Sequence, residues 1–209
     1  MSSKPPPALP SETALLIIEC QNGVVGPDSV LPDLAAVVQP SLPTIGRLAR
    51  GAREHGVQVV HLTFSPLADN RSCNRKPLLF KGILRNMDAW GPDHPATQVV
   101  DEIGVGPDDL VLPRASGLSP TYGTETFKVL RNIGIRAVVV AGVSTNIAIP
   151  AVLTEACDEG FDVSVARDAA LGSPAEYAEQ QMQFTIGMIC RLTTVDELVA
   201  QWAAAAVPA

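Results

Sequence analysis

Short, nearly unbroken apolar runs alternate with amphipathic segments along the chain. TALLIIE (Thr13 to Glu19), VQVVHLTF (Val57 to Phe64), DLVLPR (Asp109 to Arg114), RAVVVAG (Arg136 to Gly142) and FDVSVAR (Phe161 to Arg167) have the length and apolar content of buried strands, and MICRLTT supplies a shorter sixth. Between them lie segments with helical spacing. One runs from about Thr44 to His55 with Ile45, Leu48 and Ala49 on one face. Another is capped by Thr124, with Glu125 in its first turn, and runs through Asn132. A third reaches Asp158 and stops at Gly160, a residue free to take the left-handed backbone that closes a helix. A fourth spans about Pro174 to Gly187, and VDELVAQW is the last. The stretch after the first strand reads as a Pro/Gly-rich loop, and Ser65 to Ala96 as one long irregular loop, a size that in compact domains goes with function.

Strands buried on both faces and alternating with helices predict a parallel sheet between two helical layers. The expected fold is therefore a single α/β domain, a three-layer αβα sandwich around a six-stranded parallel sheet. It is expected to occupy residues 13–204, after a loose Pro-rich leader (1–12) and before a short tail (205–209). In such sheets ligands gather beyond the carboxyl ends of the strands, where the strand order reverses. That rule collects Glu19 and Gln21 after the first strand, Arg114 after the third, and Ser144 to Ala148 after the fourth. The long loop leaves from the same edge.

Composition narrows the function. With 209 residues, 46% of them hydrophobic and 18% charged, the chain can bury a sizeable core. A net charge of −7 offers no basic stripe for nucleic acid or anionic membranes. No apolar run approaches the roughly 20 residues that span a bilayer, and MSSKPPPALPSE lacks the apolar stretch of a signal peptide. A cytoplasmic protein with a small-molecule substrate is the simplest expectation. Four dispersed cysteines and three dispersed histidines suggest neither disulfides nor a metal cage. No cofactor and no metal are expected, while a metal in the loop around Asp69 stays open.

The order and spacing of ALLIIECQNGVVG, GVQVVHLTF, GTETFKVLRNIGI, AVVVAGVSTNIAI and GFDVSVARDAALG are similar to those of the isochorismatase-like hydrolases, from about Ala14 to Trp202. The resemblance implies homo-oligomers (dimer or tetramer), a cis peptide between Val143 and Ser144, and a site built from three positions. In the cysteine amidohydrolases of that superfamily these hold an Asp ending strand one, a Lys after strand three, and a Cys in a G-V-x-T-x-x-C corner. Here the Asp position holds Glu19, the Cys position holds Ala148, and the Lys position falls on Arg114 or, with a one-residue slip, on Ala115.

Each departure has a chemical consequence. Ala148 cannot attack a carbonyl, yet its backbone N–H at a helix start can still hold developing negative charge. Arginine does not shuttle protons, but its fork can grip a carboxylate with two parallel hydrogen bonds. Glu19 can move protons, as an acid if burial dominates and as a base if Arg114 is close. The leading expectation is a hydrolase of a small anionic metabolite without a cysteine nucleophile. Glu19, Arg114 and the Ala148 position are its catalytic candidates, and Gln21, Asn74, Val143, Ser144 and Thr145 its substrate-binding candidates. The alternatives are an inactive relative that binds a metabolite or protein partner, and an amidohydrolase with its thiol relocated to Cys73 or Cys20.

Overall fold

The computed structural model describes residues 7–85 and 87–205. Six strands form one sheet in which every pairing is parallel: β1 (Thr13–Ile18), β2 (Gln58–Phe64), β3 (Leu110–Arg114), β4 (Ala137–Val143), β5 (Asp162–Leu171) and β6 (Arg191–Thr193). Their spatial order is β3-β2-β1-β4-β5-β6. The chain winds outward from β1 in one direction and from β4 in the other, so order reverses between these two central strands.

Alternation along each strand builds two separate cores. Leu15 and Ile17 of β1, with Val139 and Ala141 of β4, point into the layer of α2 (Pro32–Val38), α3 (Leu42–Glu54) and α9 (Val195–Ala205). Ala14, Leu16 and Ile18, with Val138 and Val140, meet α5 (Thr126–Asn132), α6 (Ala148–Asp158) and the segment after β5. That segment is α7 (Ala175–Gln181), a π turn (Met182–Ile186) and α8 (Gly187–Ile189). In α3, the buried residues Leu42, Ile45, Leu48, Ala49 and Ala52 repeat at the three- and four-residue spacing of one helical face, and each fully buried leucine or isoleucine stabilises the packing by about 1.5–3 kcal/mol.

The fold matches the expected three-layer sandwich, with differences at the element ends and in the loops. The stretch after β1 is not all loop: α1 (Asn22–Val25) and α2 occupy it. The Ser65–Ala96 segment contains α4 (Leu78–Ile83). Thr124 does not cap α5 as its Ncap residue. Glu125 takes that place without a side-chain cap, and the Thr124 hydroxyl, one residue earlier, accepts from Thr126 N at 3.3 Å. β5 continues past Arg167 to Leu171, and β6 is only three residues long. Part of the expected loose leader is ordered, since Pro10–Glu12 make a 3-10 turn that leads into β1. At the other end Ala205, expected to open the tail, is the last residue of α9. The rest of the expected leader and tail, residues 1–6 and 206–209, lies outside the described residues.

No helix among the described residues is long and apolar enough to cross a membrane.

Candidate active site

The reversal point is held together by a glycine. Ile18 pairs with Gly142 across β1 and β4, and Gly142 has φ +99°. A Cβ there would stand 2.3 Å from the Ile18 carbonyl oxygen, so only glycine lets the two strand ends close up. Immediately afterwards Glu19 takes φ +51°, a left-handed conformation rare for residues other than glycine, while its N–H donates to the Leu62 carbonyl at 2.8 Å. The bend ends the regular strand and carries the Glu19 side chain over the sheet edge. Cys20 is directed into the α2/α3/α9 core instead.

Glu19 and Arg114 form an ion pair between Oε1 and Nη2, with side chains 16% and 6% exposed. Arg114 is the last residue of β3, two strands away from β1. Its Nε donates to the Gly117 carbonyl at 3.2 Å, and its guanidinium lies 5.1 Å from the centre of the Phe64 ring. Nη1 is buried without a partner among the described residues. Arg114 and not Ala115 reaches the site, because Ala115 is exposed. The expectation of a free two-pronged clamp for a ligand carboxylate needs correction: Nη2 is taken by Glu19 and Nε by Gly117, and the one unpartnered nitrogen, Nη1, is buried.

On the other side of the reversal, the Val143–Ser144 peptide is cis and the chain turns into α6. Ile147 precedes that helix without a side-chain cap, and the Ala148 N–H has no hydrogen-bond partner among the described residues. Pro150 falls in the first turn, where its missing N–H costs nothing. The turn is braced from β5: Thr145 N donates to Leu171 O at 2.9 Å, and the Asn146 amide both donates to Ser173 O (2.7 Å) and accepts from Ser173 N (3.2 Å).

Glu19, Arg114, Ser144 and Ala148 line one cavity of about 70 Å³. Its remaining wall is apolar, and the aromatic part comes from Phe64, Phe80 and Trp90. Phe80 and Trp90 belong to the long loop, which folds over the edge as a small core of its own with Cys73 and Met87. Trp90 is seated on α1, where a Cβ at Gly23 would meet the indole at 2.1 Å. These walls are not among the expected binding residues. The aromatics in an otherwise polar loop were the signal available for them.

Four expected binding residues do not line the cavity. Gln21 is fully buried, and its amide is consumed in tying strand ends: Nε2 donates to Phe64 O (2.9 Å) and Ala96 O (3.0 Å), while Oε1 accepts from Phe64 N (2.6 Å). Asn74 is exposed and accepts from Lys76 N. Val143 is in the α2/α3/α9 core, and Thr145 is buried behind the turn with its hydroxyl unpartnered among the described residues. Among the described residues no thiol lines the cavity. Nor, among them, could any group of three or more His, Cys, Asp or Glu hold a metal ion.

Comparison with known proteins gives the class of this fold. The Isochorismatase domain matches residues 13–197. The chain is 27% identical over 188 residues to YecD, an uncharacterised isochorismatase family protein of Escherichia coli O157:H7, covering 90% of this chain and 94% of that one. It is also 27% identical over 198 residues to the ureidoacrylate amidohydrolase RutB of Pseudomonas syringae pv. syringae, covering 85% and 78% of the two chains. A solved cysteine hydrolase from Pseudomonas syringae pv. phaseolicola superposes with a TM-score of 0.78 at 20% identity, over 97% of this chain and 99% of that one. The chain belongs to the isochorismatase family of hydrolases.

Proposed function

We propose that the protein is a hydrolase of a small metabolite that works by acid–base chemistry at Glu19, without a cysteine nucleophile. One observation carries this reading: the Glu19 carboxylate and the Ala148 end of α6 line the same cavity, and among the described residues no thiol does. Held against a guanidinium, Glu19 enters the reaction as a base. It takes a proton from a water molecule, whose oxygen attacks the substrate's electrophilic carbon. The displaced electron pair moves onto the substrate oxygen, which the free Ala148 N–H at the helix start stabilises. As that oxygen re-forms its double bond, Glu19 returns the proton to the departing nitrogen or oxygen. Arg114 keeps the carboxylate oriented and does not exchange protons. The amidohydrolase relative makes amides and ureides the first compounds to screen.

The decisive experiment is a turnover screen of such compounds with the native protein and with Glu19→Gln. The native protein should turn over at least one compound. The variant, assayed at a temperature where circular dichroism shows it folded, should lose roughly 10²–10⁴-fold in rate. A variant with full activity would remove Glu19 from the chemistry.

A second reading, binding without turnover, is favoured by the same ion pair, since it engages one oxygen of the proposed base. It prevails if the cavity binds a ligand from the screen and no compound is hydrolysed.

A further inference from the structure

The charges around the cavity are already balanced before any ligand arrives. Glu19 and Arg114 are the charged side chains in its wall, and they are bonded to each other. What each leaves open is unequal. Arg114 is 6% exposed, with Nη2 on Glu19, Nε on Gly117 and Nη1 sealed off from solvent. Glu19 is the more open partner, at 16%. A ligand entering the cavity therefore meets the carboxylate and not the guanidinium. The other polar groups along the lining are Ser144 and the backbone of Ala148, whose N–H has no partner among the described residues. The rest of the wall is aliphatic, aromatic or, at Met87, a thioether.

A ligand carboxylate fits this surface badly. It would give up its hydration to an apolar wall, and no free edge of Arg114 would replace what it lost. It would also stand beside Glu19, a charge of its own sign, in a medium where such repulsion is weakly screened. An uncharged carbonyl group loses far less on entry. Its oxygen can accept from Ala148 N–H, and an adjacent N–H or O–H can donate to Glu19.

We infer that the cavity takes uncharged ligands with an apolar body and discriminates against the carboxylate of the same shape, the reverse of the anionic substrate expected from the sequence. The inference rests on the proposed placement of the ligand against Glu19. It does not depend on turnover. The same geometry makes the Glu19–Arg114 bond the selector: with Glu19 neutral, the guanidinium loses its partner and a ligand carboxylate can take its place.

Titration calorimetry at neutral pH with two isosteric pairs, butyramide against butyrate and benzamide against benzoate, tests this directly. The full-length native protein should bind at least one amide more tightly than its carboxylate, by about tenfold or more. In Glu19→Gln the order should invert, with the carboxylate binding at least as well as the amide. Glu19→Ser serves the same purpose should the glutamine variant not fold, and the native comparison decides by itself if neither does. Equal or tighter binding of a carboxylate to the native protein overturns the inference, as does the absence of binding by both amides. Amide preference without hydrolysis of any compound would sink the proposed hydrolase activity and leave the charge selection standing. Hydrolysis confined to amides or ureides that also carry a carboxylate would do the opposite.

Discussion

Glu19 and Arg114 are each costly alone and cheap together. Both side chains are withdrawn from water, so removing one leaves the other's charge in a poorly solvated place. Arg114→Met should therefore destabilise the protein by about 3 kcal/mol, because it strands the Glu19 carboxylate among apolar walls. Adding Glu19→Gln to that variant should restore most of the loss, since an amide needs no counter-charge. Urea unfolding of the two single variants and the double variant measures the coupling, expected at about 2 kcal/mol. If the two losses simply add, the pair is not a closed unit, and the account of the balanced cavity goes with it. The left-handed bend at Glu19 belongs to the same argument. A residue with a side chain is held at φ +51° only because β1 and β2 fix its backbone and Arg114 fixes its far end.

A second buried network shows how elements are tied at a distance from the cavity. His61 in β2 shares Asp109, just before β3, with Arg53 of α3. Nε2 of His61 lies 2.9 Å from Asp109 Oδ2, and Arg53 donates to both carboxylate oxygens at 2.7 and 3.2 Å. Burial pushes the His61 pKa below its usual 6.5, and Asp109 only partly opposes this. The folded protein thus holds fewer protons here than the unfolded chain once pH falls below about 6.5. Stability is fully present above that value and declines as pH drops toward the depressed folded value. Burial also acts to raise the Asp109 pKa, but the donors Arg53, Gly106 and His61 outweigh it and hold the carboxyl below 3.8. Its contribution is present above 3.8 and disappears only as pH falls through the lower folded value. The urea midpoint should accordingly be lower near about pH 5 than at neutrality, and His61→Gln should flatten that change. An unchanged midpoint in the native protein would mean that His61 takes up its proton without strain.

The same elements show what the sequence could and could not reveal. Strands came through clearly because burial on both faces leaves unbroken runs such as VQVVHLTF, and α3 because its apolar face repeats over three turns. Helices α1 and α4 did not, being four and six residues long and held by what they pack against more than by their own periodicity. Glu19, Arg114 and Ala148 were legible because topology alone places strand ends at one edge. Gln21 sits at that edge too, but its partners Phe64 and Ala96 are 43 and 75 residues away, so nothing local distinguishes a structural tie from a ligand contact. The aromatic wall is equally non-local, since it exists only once the long loop has folded back on α1.

At the scale of the whole molecule, no thiol among the described residues lines the cavity. Cys20 is sealed in the α2/α3/α9 core and Cys73 in the loop cluster, while Cys157 is exposed near the carboxyl end of α6 and Cys190 is half-buried before β6. Burial raises the pKa of all four, that of Cys190 to about 12, so none is held as the thiolate a nucleophile requires. Exposure ranks Cys157 first for modification, and it lies near the far end of the eleven-residue α6 from Ala148 in the cavity. A maleimide added to the native protein should label Cys157 first, leave Cys20 and Cys73 unreacted until urea is added, and leave turnover of any substrate found in the screen unchanged. Mass spectrometry of the labelled peptides, read beside residual activity, checks both halves. Loss of activity that tracks labelling of Cys73 or Cys20, and that substrate prevents, would return the reaction to a thiol and reduce Glu19 to a structural partner of Arg114.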